Sequence, residues 1–209
     1  MTNLLRAMNS AYPFLFVISL VLSAPERLFS RDKPNILWIS AEDMSPRLSM
    51  YGDNTIKSPN IERLAREGIV YENVYTTAGV CAPSRNAIIT GSYQTYNGGH
   101  NMRTLNNTYP EQTGLPKSYS VVMPPEVKCF PEYLRSAGYY TTNNNKTDYQ
   151  FEAPPTAWDE ISNKATWRNR PKGKPFFSVF NFNTTHESQI WANADKPLSV
   201  DPLLSLIHI

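Results

Sequence analysis

The stretch that decides the fold is Asn35-Ile-Leu-Trp-Ile-Ser40, followed directly by Ala41-Glu42-Asp43. Its apolar residues are dense and include β-branched and aromatic side chains, a composition typical of a buried strand in a parallel sheet. Two carboxylates then stand at the carboxyl end of this strand, which is where open α/β sheets bind their ligands. We therefore expect a buried parallel strand that delivers Glu42 and Asp43 to a functional site.

Outward from this strand, helical and strand patterns alternate along the chain. Ser58 is suited to cap a helix, Pro59 to open it and Gly68 to end it, and a second helix is expected from about Cys81 to Gly91. The other predicted elements are a strand at 69–75, an irregular excursion at 92–126, a helix at 130–137, a strand at 139–142 and a strand at 176–182. This alternation predicts an α/β fold.

Composition limits the classes of partner. The chain has 209 residues, is 41% hydrophobic and 18% charged, and carries a formal net charge of +2. That is ordinary for a globular domain, and too little positive charge to indicate a nucleic acid or an anionic membrane as partner. Recognition of an anion must therefore be local.

The sequence patterns at the two ends of the chain do not indicate parts of the folded domain. Arg6, the apolar run 12–22 and the small residues Ser23 and Ala24 form the pattern of a secretory signal peptide, which we assign to residues 1–24. The run is shorter than the roughly 20 residues that span a bilayer, so we expect no membrane span and a lysosomal, extracellular or periplasmic location. Of three glycosylation sequons, Asn106 lies in the most loop-like stretch. Residues 201–209 carry no pattern that would finish a domain and are expected to be a truncation or an artefactual tail.

Cys81 allows two interpretations from physical chemistry alone. In a secreted protein the simplest expectation is a disulfide between Cys81 and Cys129. Alternatively, the start of a helix favours the thiolate of Cys81, and Arg85 lies on the same helical face. Glu42 and Asp43 then supply hard oxygen ligands for calcium or magnesium, although a solvated turn remains open for them and a surface ion pair for Arg85. The second interpretation is a metal-assisted hydrolase.

The segment Cys81-Ala-Pro-Ser-Arg85, continuing to Thr90-Gly91, resembles the signature of the sulfatase family. The resemblance implies that a formylglycine-generating enzyme oxidises Cys81 to formylglycine during secretion. The hydrated aldehyde is then the nucleophile: one hydroxyl attacks sulfur, and the other later loses its proton to expel sulfate.

Three further segments resemble the family pattern. Residues 35–43 are similar to its first strand, which implies that Glu42, Asp43 and Cys81 hold a calcium ion, with Glu42 in place of the usual Asp. Residues 138–146 are similar to its second signature, which assigns sulfate binding to Lys146, with Asn145 replacing a glycine. Asp148 stands where a histidine is common and is a possible additional site residue. Residues 176–186 are similar to the strand that leads to an active-site histidine, which makes His186 the expected general acid.

This resemblance implies an alkaline-phosphatase-like sandwich, with a mainly parallel sheet between helices, in residues 33–200. The parent enzyme would hydrolyse sulfate esters or sulfamates on sulfated glycans, and Arg85, Lys146 and calcium would stabilise the negative charge that develops on the sulfuryl oxygens. The family's remaining metal ligands lie beyond residue 209, so the chain alone is expected to have an incomplete, truncated domain that is inactive. Two alternatives stay open: a phosphonate or phosphodiester hydrolase of the same superfamily, and a catalytically silent fragment that binds sulfated glycan.

Overall fold

A single parallel sheet organises the computed structural model, which describes residues 33–106, 110–114 and 116–190. Its strands are β1 (Ile36–Ala41), β2 (Tyr140–Asn144), β3 (Glu160–Ile161) and β4 (Phe176–Phe182), in the order β1-β4-β2-β3. Every pairing in the sheet is parallel. The carboxyl ends of β1 and β4 are therefore adjacent, and the side chains that follow these strands emerge on the same edge of the sheet.

The described residues contain five α-helices and four short 3-10 helices. The α-helices are α1 (Pro59–Glu67), α2 (Cys81–Thr90), α3 (Gln94–Asn97), α4 (Pro110–Thr113) and α5 (Phe130–Ser136). The 3-10 helices are Ser49–Tyr51, Thr104–Asn106, Trp167–Asn169 and Glu187–Ile190. Helix α5 packs against β2 and against α2. The predicted alternation was wrong in detail, because all five α-helices lie between β1 and β2 along the chain. A wholly parallel sheet packed with helices nonetheless confirms the α/β class.

The interior of the sheet is polar where β2 and β4 adjoin. Thr141, Thr142 and Asn143 of β2 are fully buried in succession, so both faces of the sheet are covered at this strand. The hydroxyls of Thr142 and Ser178 lie 2.7 Å apart and satisfy each other, as buried polar groups require. Next to them Phe177 stacks on Trp158 with ring centroids 5.8 Å apart, which joins the sheet to the apolar core.

The prediction that the 35–40 strand is buried was wrong. β1 is parallel as expected, but it lies at the edge of the sheet and pairs only with β4. Its side chains Leu37, Trp38 and Ile39 are 52%, 40% and 58% exposed. A dense apolar run predicts burial only when neighbouring elements cover it, and the described residues leave this strand uncovered on one side.

The predicted strand at 69–75 was also wrong. The structure has no regular element there, and Ile69, Val74 and Tyr75 are strongly exposed. An alternating pattern is a local signal, whereas a strand also depends on packing against neighbouring strands, and residues 69–75 pair with no strand of the described sheet. The other predicted strands and helices are present with boundaries shifted by at most two residues.

The structure tests the predicted disulfide and the predicted absence of a membrane span, but not the predictions for the two ends of the chain. Cys81 and Cys129 are both free thiols, so the structure does not form the disulfide. Within the described ranges, no helix combines the length and hydrophobicity that crossing a bilayer requires. The predicted signal peptide at 1–24 and tail at 201–209 lie outside the described residues, and the Asn106 sequon extends beyond them.

Candidate active site

Three chain segments meet at the carboxyl edge of the sheet. Ala41 and Phe182 are paired at the ends of β1 and β4, and the backbone N–H of Glu42 donates to the carbonyl of Phe182 at 3.0 Å. This bond places Glu42 and Asp43 beside the segment that leads from β4 to His186. The third segment is the start of α2, which presents Cys81.

Helix α2 begins at Cys81 for local reasons. Val80 is extended, with φ of −139°, and its carbonyl accepts from the N–H of Ser84 at 3.2 Å. Pro83 lies in the first turn, where its missing N–H leaves no helical hydrogen bond unmade. Gly91 ends the helix with φ of 62°, a left-handed conformation that favours glycine. The sequence prediction for this helix is confirmed, with Cys81 as its first residue.

Glu42 is the most enclosed of the site carboxylates. Its side chain is 8% exposed and forms an ion pair with Lys146. Burial by itself raises the pKa of Glu42, but a hydrogen bond from the Cys81 thiol, the Lys146 ammonium and the charge of Arg85 outweigh burial and lower it. Glu42 is therefore held as a carboxylate at neutral pH.

Asp43 bridges the other two segments. It adopts φ of 53°, which is uncommon outside glycine. Its carboxylate lies 3.9 Å from Cys81 Sγ and 3.7 Å from His186 Nε2, and it accepts from the N–H of Glu187 at 3.4 Å. The turn after β1 therefore aims both carboxylates at Cys81 and His186, and the open interpretation of this turn as merely solvated does not fit the structure.

The expectation of a favoured Cys81 thiolate was wrong. Burial and the adjacent carboxylate of Glu42 raise the pKa of Cys81 to about 12. The helix start cannot offset two neighbouring carboxylates, because a like charge opposes ionisation. At neutral pH the unmodified Cys81 is therefore held mainly as the protonated thiol.

Arg85 holds the loop that carries Lys146. Its Nε donates to the carbonyl of Thr147 at 2.9 Å, and its terminal nitrogen donates to the carbonyl of Lys146 at 2.6 Å and to Asn181 Oδ1 at 3.0 Å. These are charge-assisted bonds to fixed acceptors. Arg85 is therefore part of the site's framework, and the alternative of a surface ion pair is wrong.

Two asparagines that no sequence motif singles out complete this framework. Asn181 of β4 accepts from Ser40 and Arg85 and donates to Asn143 Oδ1 at 2.8 Å. Asn143 of β2 in turn donates to the carbonyl of Lys146 at 2.9 Å. The available signal was an amide inside each of two strands, Asn181 in the apolar run 176–182 and Asn143 in β2, since a buried amide needs polar partners.

His186 lies across the site from the helix. Its Nε2 faces Asp43, and its Nδ1 lies 2.7 Å from Ser188 Oγ and 3.1 Å from the backbone N–H of Ser188. Ser188 can therefore serve Nδ1 as a donor or, through its hydroxyl, as an acceptor. The ring is fixed in orientation in either tautomer.

The other residues singled out from sequence lie next to Lys146. Asp148 Oδ2 is 3.9 Å from Lys146 Nζ, so its contact is with the lysine rather than with Cys81. Lys146, Asp148 and Arg103 also line an open depression beside the site. Arg103 was not singled out from sequence, because nothing in its neighbourhood forms a motif.

The side chains at this edge of the sheet offer a metal ion both hard oxygen donors and a soft sulfur donor. Glu42, Cys81 and His186 each offer one ligand atom, and these atoms lie within 4.8 Å of one another. The carboxylates of Glu42 and Asp43 are hard donors that fit calcium. The sulfur of Cys81 is a poor calcium ligand, whereas an oxygen at this position would add a third hard donor to the two carboxylates.

The family model named Sulfatase matches residues 34–168, which is more than half of the chain. The chain belongs to the sulfatase family. Curated relatives include the ulvan-active sulfatase of Formosa agariphila, which is 52% identical over 160 residues and covers 77% of this chain and 26% of that protein. The human N-acetylgalactosamine-6-sulfatase is 33% identical over 107 residues, covering 51% of this chain and 20% of its own length. This sulfatase chain thus spans about a quarter or less of these two relatives.

Solved structures share the fold at lower identity. One, described in complex with its substrate D-glucosamine-2-N,6-O-disulfate, has a TM-score of 0.58 at 24% identity and covers 75% of this chain and 35% of its own. Another, described as a 2-O GAG sulfatase, has a TM-score of 0.56 at 18% identity and covers 81% of this chain and 40% of its own. The predicted alkaline-phosphatase-like fold of this sulfatase chain is thereby confirmed.

Proposed function

We propose that this chain is part of an enzyme that hydrolyses sulfate esters or sulfamates on sulfated glycans, with a formylglycine made from Cys81 as the nucleophile. The observation that carries the proposal is the convergence of Cys81, Glu42, Asp43, Lys146 and His186 at one edge of the sheet. These segments are far apart in sequence, and each one belongs to a family-like motif. A glycan substrate is supported by the similarity to the ulvan-active sulfatase, which is 52% identical to this chain over 160 residues.

In the proposed reaction, formylglycine 81 supplies a hydrated aldehyde with two hydroxyls. One hydroxyl attacks sulfur while the bond from sulfur to the leaving oxygen or nitrogen breaks, and a proton is transferred to the leaving atom. The second hydroxyl then loses its proton, and the bond from carbon to the sulfate oxygen breaks. Sulfate leaves and the aldehyde is restored, so no external reductant or oxidant is consumed.

His186 is the proposed donor of the proton to the leaving group. Its Nε2 is the ring nitrogen that faces the site, 3.7 Å from Asp43 Oδ2, and Ser188 holds the opposite nitrogen. A general acid must lie within reach of the leaving atom with a ring nitrogen directed at it. His186 has the orientation that this role requires.

Lys146 and Arg85 supply the positive charge for the sulfate group. The Lys146 side chain lines the open depression, where a tetrahedral anion has access. Arg85 binds the backbone on which Lys146 stands, so it contributes both its charge and the position of the lysine. Fixed positive charge at the site of developing negative charge is usually the largest catalytic contribution.

Glu42, Asp43 and an oxygen of formylglycine 81 are the residues of this chain that would hold calcium. When bound, the cation would neutralise charge on the sulfuryl oxygens. With calcium on Glu42, the Lys146 ammonium would be released from its ion pair and directed to substrate. The site would then recognise a monoanionic sulfate with a cation and two basic side chains.

The proposal includes a maturation pathway. A signal peptide at 1–24 would lead the chain to a formylglycine-generating enzyme, and the product would be lysosomal, extracellular or periplasmic. Modification would act on Cys81 but not on Cys129, because only Cys81 stands in the Cys-x-Pro-Ser-Arg motif.

The decisive experiment measures the mass of the Cys81 peptide from protein secreted by cells that contain the converting enzyme, with an aldehyde-reactive probe as a second readout. We expect an aldehyde at position 81, and turnover of an aryl sulfate in preference to an aryl phosphate by a full-length protein that contains this chain. Cys129→Ala is the matched control and should leave the aldehyde intact. A plain thiol at position 81, or a preference for phosphate, would contradict the proposal.

A further inference from the structure

The unmodified site contains one donor atom that the proposed catalytic cycle does not use, the sulfur of Cys81. Before oxidation, position 81 carries a sulfur atom, and Cys81 is a free thiol. One ligand atom from each of Cys81, His186 and Glu42 lies within 4.8 Å of the others. Asp43 approaches the same space, at 3.9 Å from Cys81 Sγ and 3.7 Å from His186 Nε2.

This donor set matches a different metal from calcium. Calcium takes six to eight hard oxygen ligands, and sulfur and imidazole nitrogen are poor ligands for it. Zinc takes four ligands in a tetrahedron and binds thiolate sulfur, imidazole nitrogen and carboxylate oxygen. Cys81, His186, Glu42 and Asp43 supply one sulfur, one nitrogen and two carboxylates, which is a complete zinc set.

We propose that the chain with unmodified Cys81 binds Zn²⁺ through Cys81 Sγ, His186 Nε2 and a carboxylate oxygen of Glu42, with Asp43 as the fourth ligand. Binding replaces the thiol proton by the metal and releases that proton to solvent. Oxidation of Cys81 removes the sulfur and with it the softest ligand. Formation of the zinc site requires only the unmodified chain, whereas its consequence, that conversion exchanges a zinc site for a calcium site, rests on the proposed function.

The surroundings of His186 fit metal binding at Nε2. A metal-bound histidine usually donates its other N–H to a nearby acceptor, which fixes the tautomer. Ser188 Oγ lies 2.7 Å from Nδ1 and can accept that proton. Metal binding at Nε2 therefore requires the ring to release its proton from Nε2 to solvent and to take one up at Nδ1. The Ser188 hydroxyl hydrogen then rotates away, and the 3.1 Å contact from the Ser188 N–H is lost.

The Lys146 ammonium is the competitor that zinc must displace. It forms an ion pair with Glu42. Asp148 Oδ2, 3.9 Å from Lys146 Nζ, offers an alternative partner once the metal takes the Glu42 carboxylate. Removing this positive charge should therefore strengthen zinc binding, which is the opposite of its expected effect on sulfate binding.

The test uses the full chain from a host without the converting enzyme, after mass spectrometry has verified the thiol at position 81. Co²⁺ is added to metal-free protein, and sulfur-to-cobalt charge transfer is followed as near-ultraviolet absorption; Zn²⁺ then displaces Co²⁺. We expect the absorption band in the wild type and in Cys129→Ser, the control for the other thiol. We expect Cys81→Ser to lose the band and to bind Zn²⁺ at least about tenfold more weakly.

Three further variants keep the test decisive should Cys81→Ser fold poorly. His186→Ala and Ser188→Ala should weaken Zn²⁺ binding, the latter by about tenfold because it removes the partner of the ligand. Lys146→Met should tighten it. Absence of the band in the wild type, or a band lost in Cys129→Ser and kept in Cys81→Ser, would overturn the zinc site. An aldehyde at position 81 from a converting host would leave the proposed function standing in either case.

Discussion

The two cysteines occupy similar backbone positions and very different surroundings. Cys81 is the first residue of α2, and Cys129 immediately precedes Phe130, the first residue of α5. Both are free, and the pKa of each is raised to about 12. Burial is the main cause for both thiols, but the next cause for Cys81 is Glu42, whereas for Cys129 it is the charge of Glu132.

The difference lies in what surrounds each sulfur. Cys129 is 3% exposed and belongs to the apolar core with Tyr149 and Phe177. Cys81 is half-buried and faces Asp43 and Glu42. A position at the start of a helix therefore does not make a cysteine reactive. Polar neighbours and access make Cys81 a candidate for modification and metal binding, and packing makes Cys129 structural.

The two cysteines should differ most in whether they are converted to an aldehyde. Cys81→Ala should abolish aldehyde labelling in a converting host, because the oxidised atom is absent, and it should eliminate turnover by a full-length protein containing this chain. Cys129→Ala should retain labelling at position 81. Labelling of the two purified variants with an aldehyde-reactive probe measures the contrast, and a label that follows Cys129 would reverse our assignment of the two thiols.

The loss of unfolding free energy should be larger for Cys129→Ala than for Cys81→Ala. Cys129→Ala leaves a void in the apolar core and should cost about 2 kcal/mol of unfolding free energy, within the usual range for core truncations. Cys81→Ala should change it by no more than about 0.5 kcal/mol, as is usual away from the core. Urea unfolding of both variants, produced without conversion, gives the comparison. Equal losses would mean that Cys81 is as much a packing residue as Cys129.

Local sequence patterns predicted the elements that carry the site. Capping and breaking residues such as Pro59 and Gly91 act through their own backbone, so the helices they bound were found with small errors. The strand at 176–182 was found because its apolar density coincides with a central position in the sheet. The same density in β1 predicted burial wrongly, since burial depends on elements distant in the sequence.

The connections within the site could not be predicted in the same way. The bonds that join Arg85 to Asn181 and Lys146 link residues 96 and 61 positions apart, and no local pattern signals them. The protonation of Cys81 was mispredicted for the same reason. The helix start was visible in sequence, but the carboxylate of Glu42 beside the thiol was a consequence of tertiary structure.

The thiols should also differ in their response to a neighbouring charge. Glu42→Gln removes a negative charge and a carboxylate acceptor from Cys81, so the pKa of this thiol should fall. The thiolate is the species that is alkylated, and each unit of pKa changes its population about tenfold. We expect alkylation of Cys81 by iodoacetamide at pH 8 to accelerate several-fold, as followed by peptide mass spectrometry.

Cys129 is the internal reference in that measurement. Its rate should not change, because Glu42 is not among the groups that act on it. In the wild type, alkylation of Cys81 should rise about tenfold per pH unit above neutrality and level off only as pH approaches the pKa of about 12. Equal acceleration of both thiols in Glu42→Gln would indicate loosening of the fold rather than a local electrostatic effect.

The smallest expected effect on the alkylation of Cys81 comes from Lys146, the ion-pair partner of Glu42. The positive charge of Lys146 lowers the pKa of Cys81, but it contributes less than burial or Glu42 does. Lys146→Met removes this charge and leaves Glu42 without its ion-pair partner, and both changes favour the protonated thiol. Alkylation of Cys81 at pH 8 should therefore slow by a small factor, whereas Lys146→Arg should remain close to the wild type. Faster alkylation in Lys146→Met would mean that the lysine shields the thiol sterically, and access rather than charge would then distinguish Cys81 from Cys129.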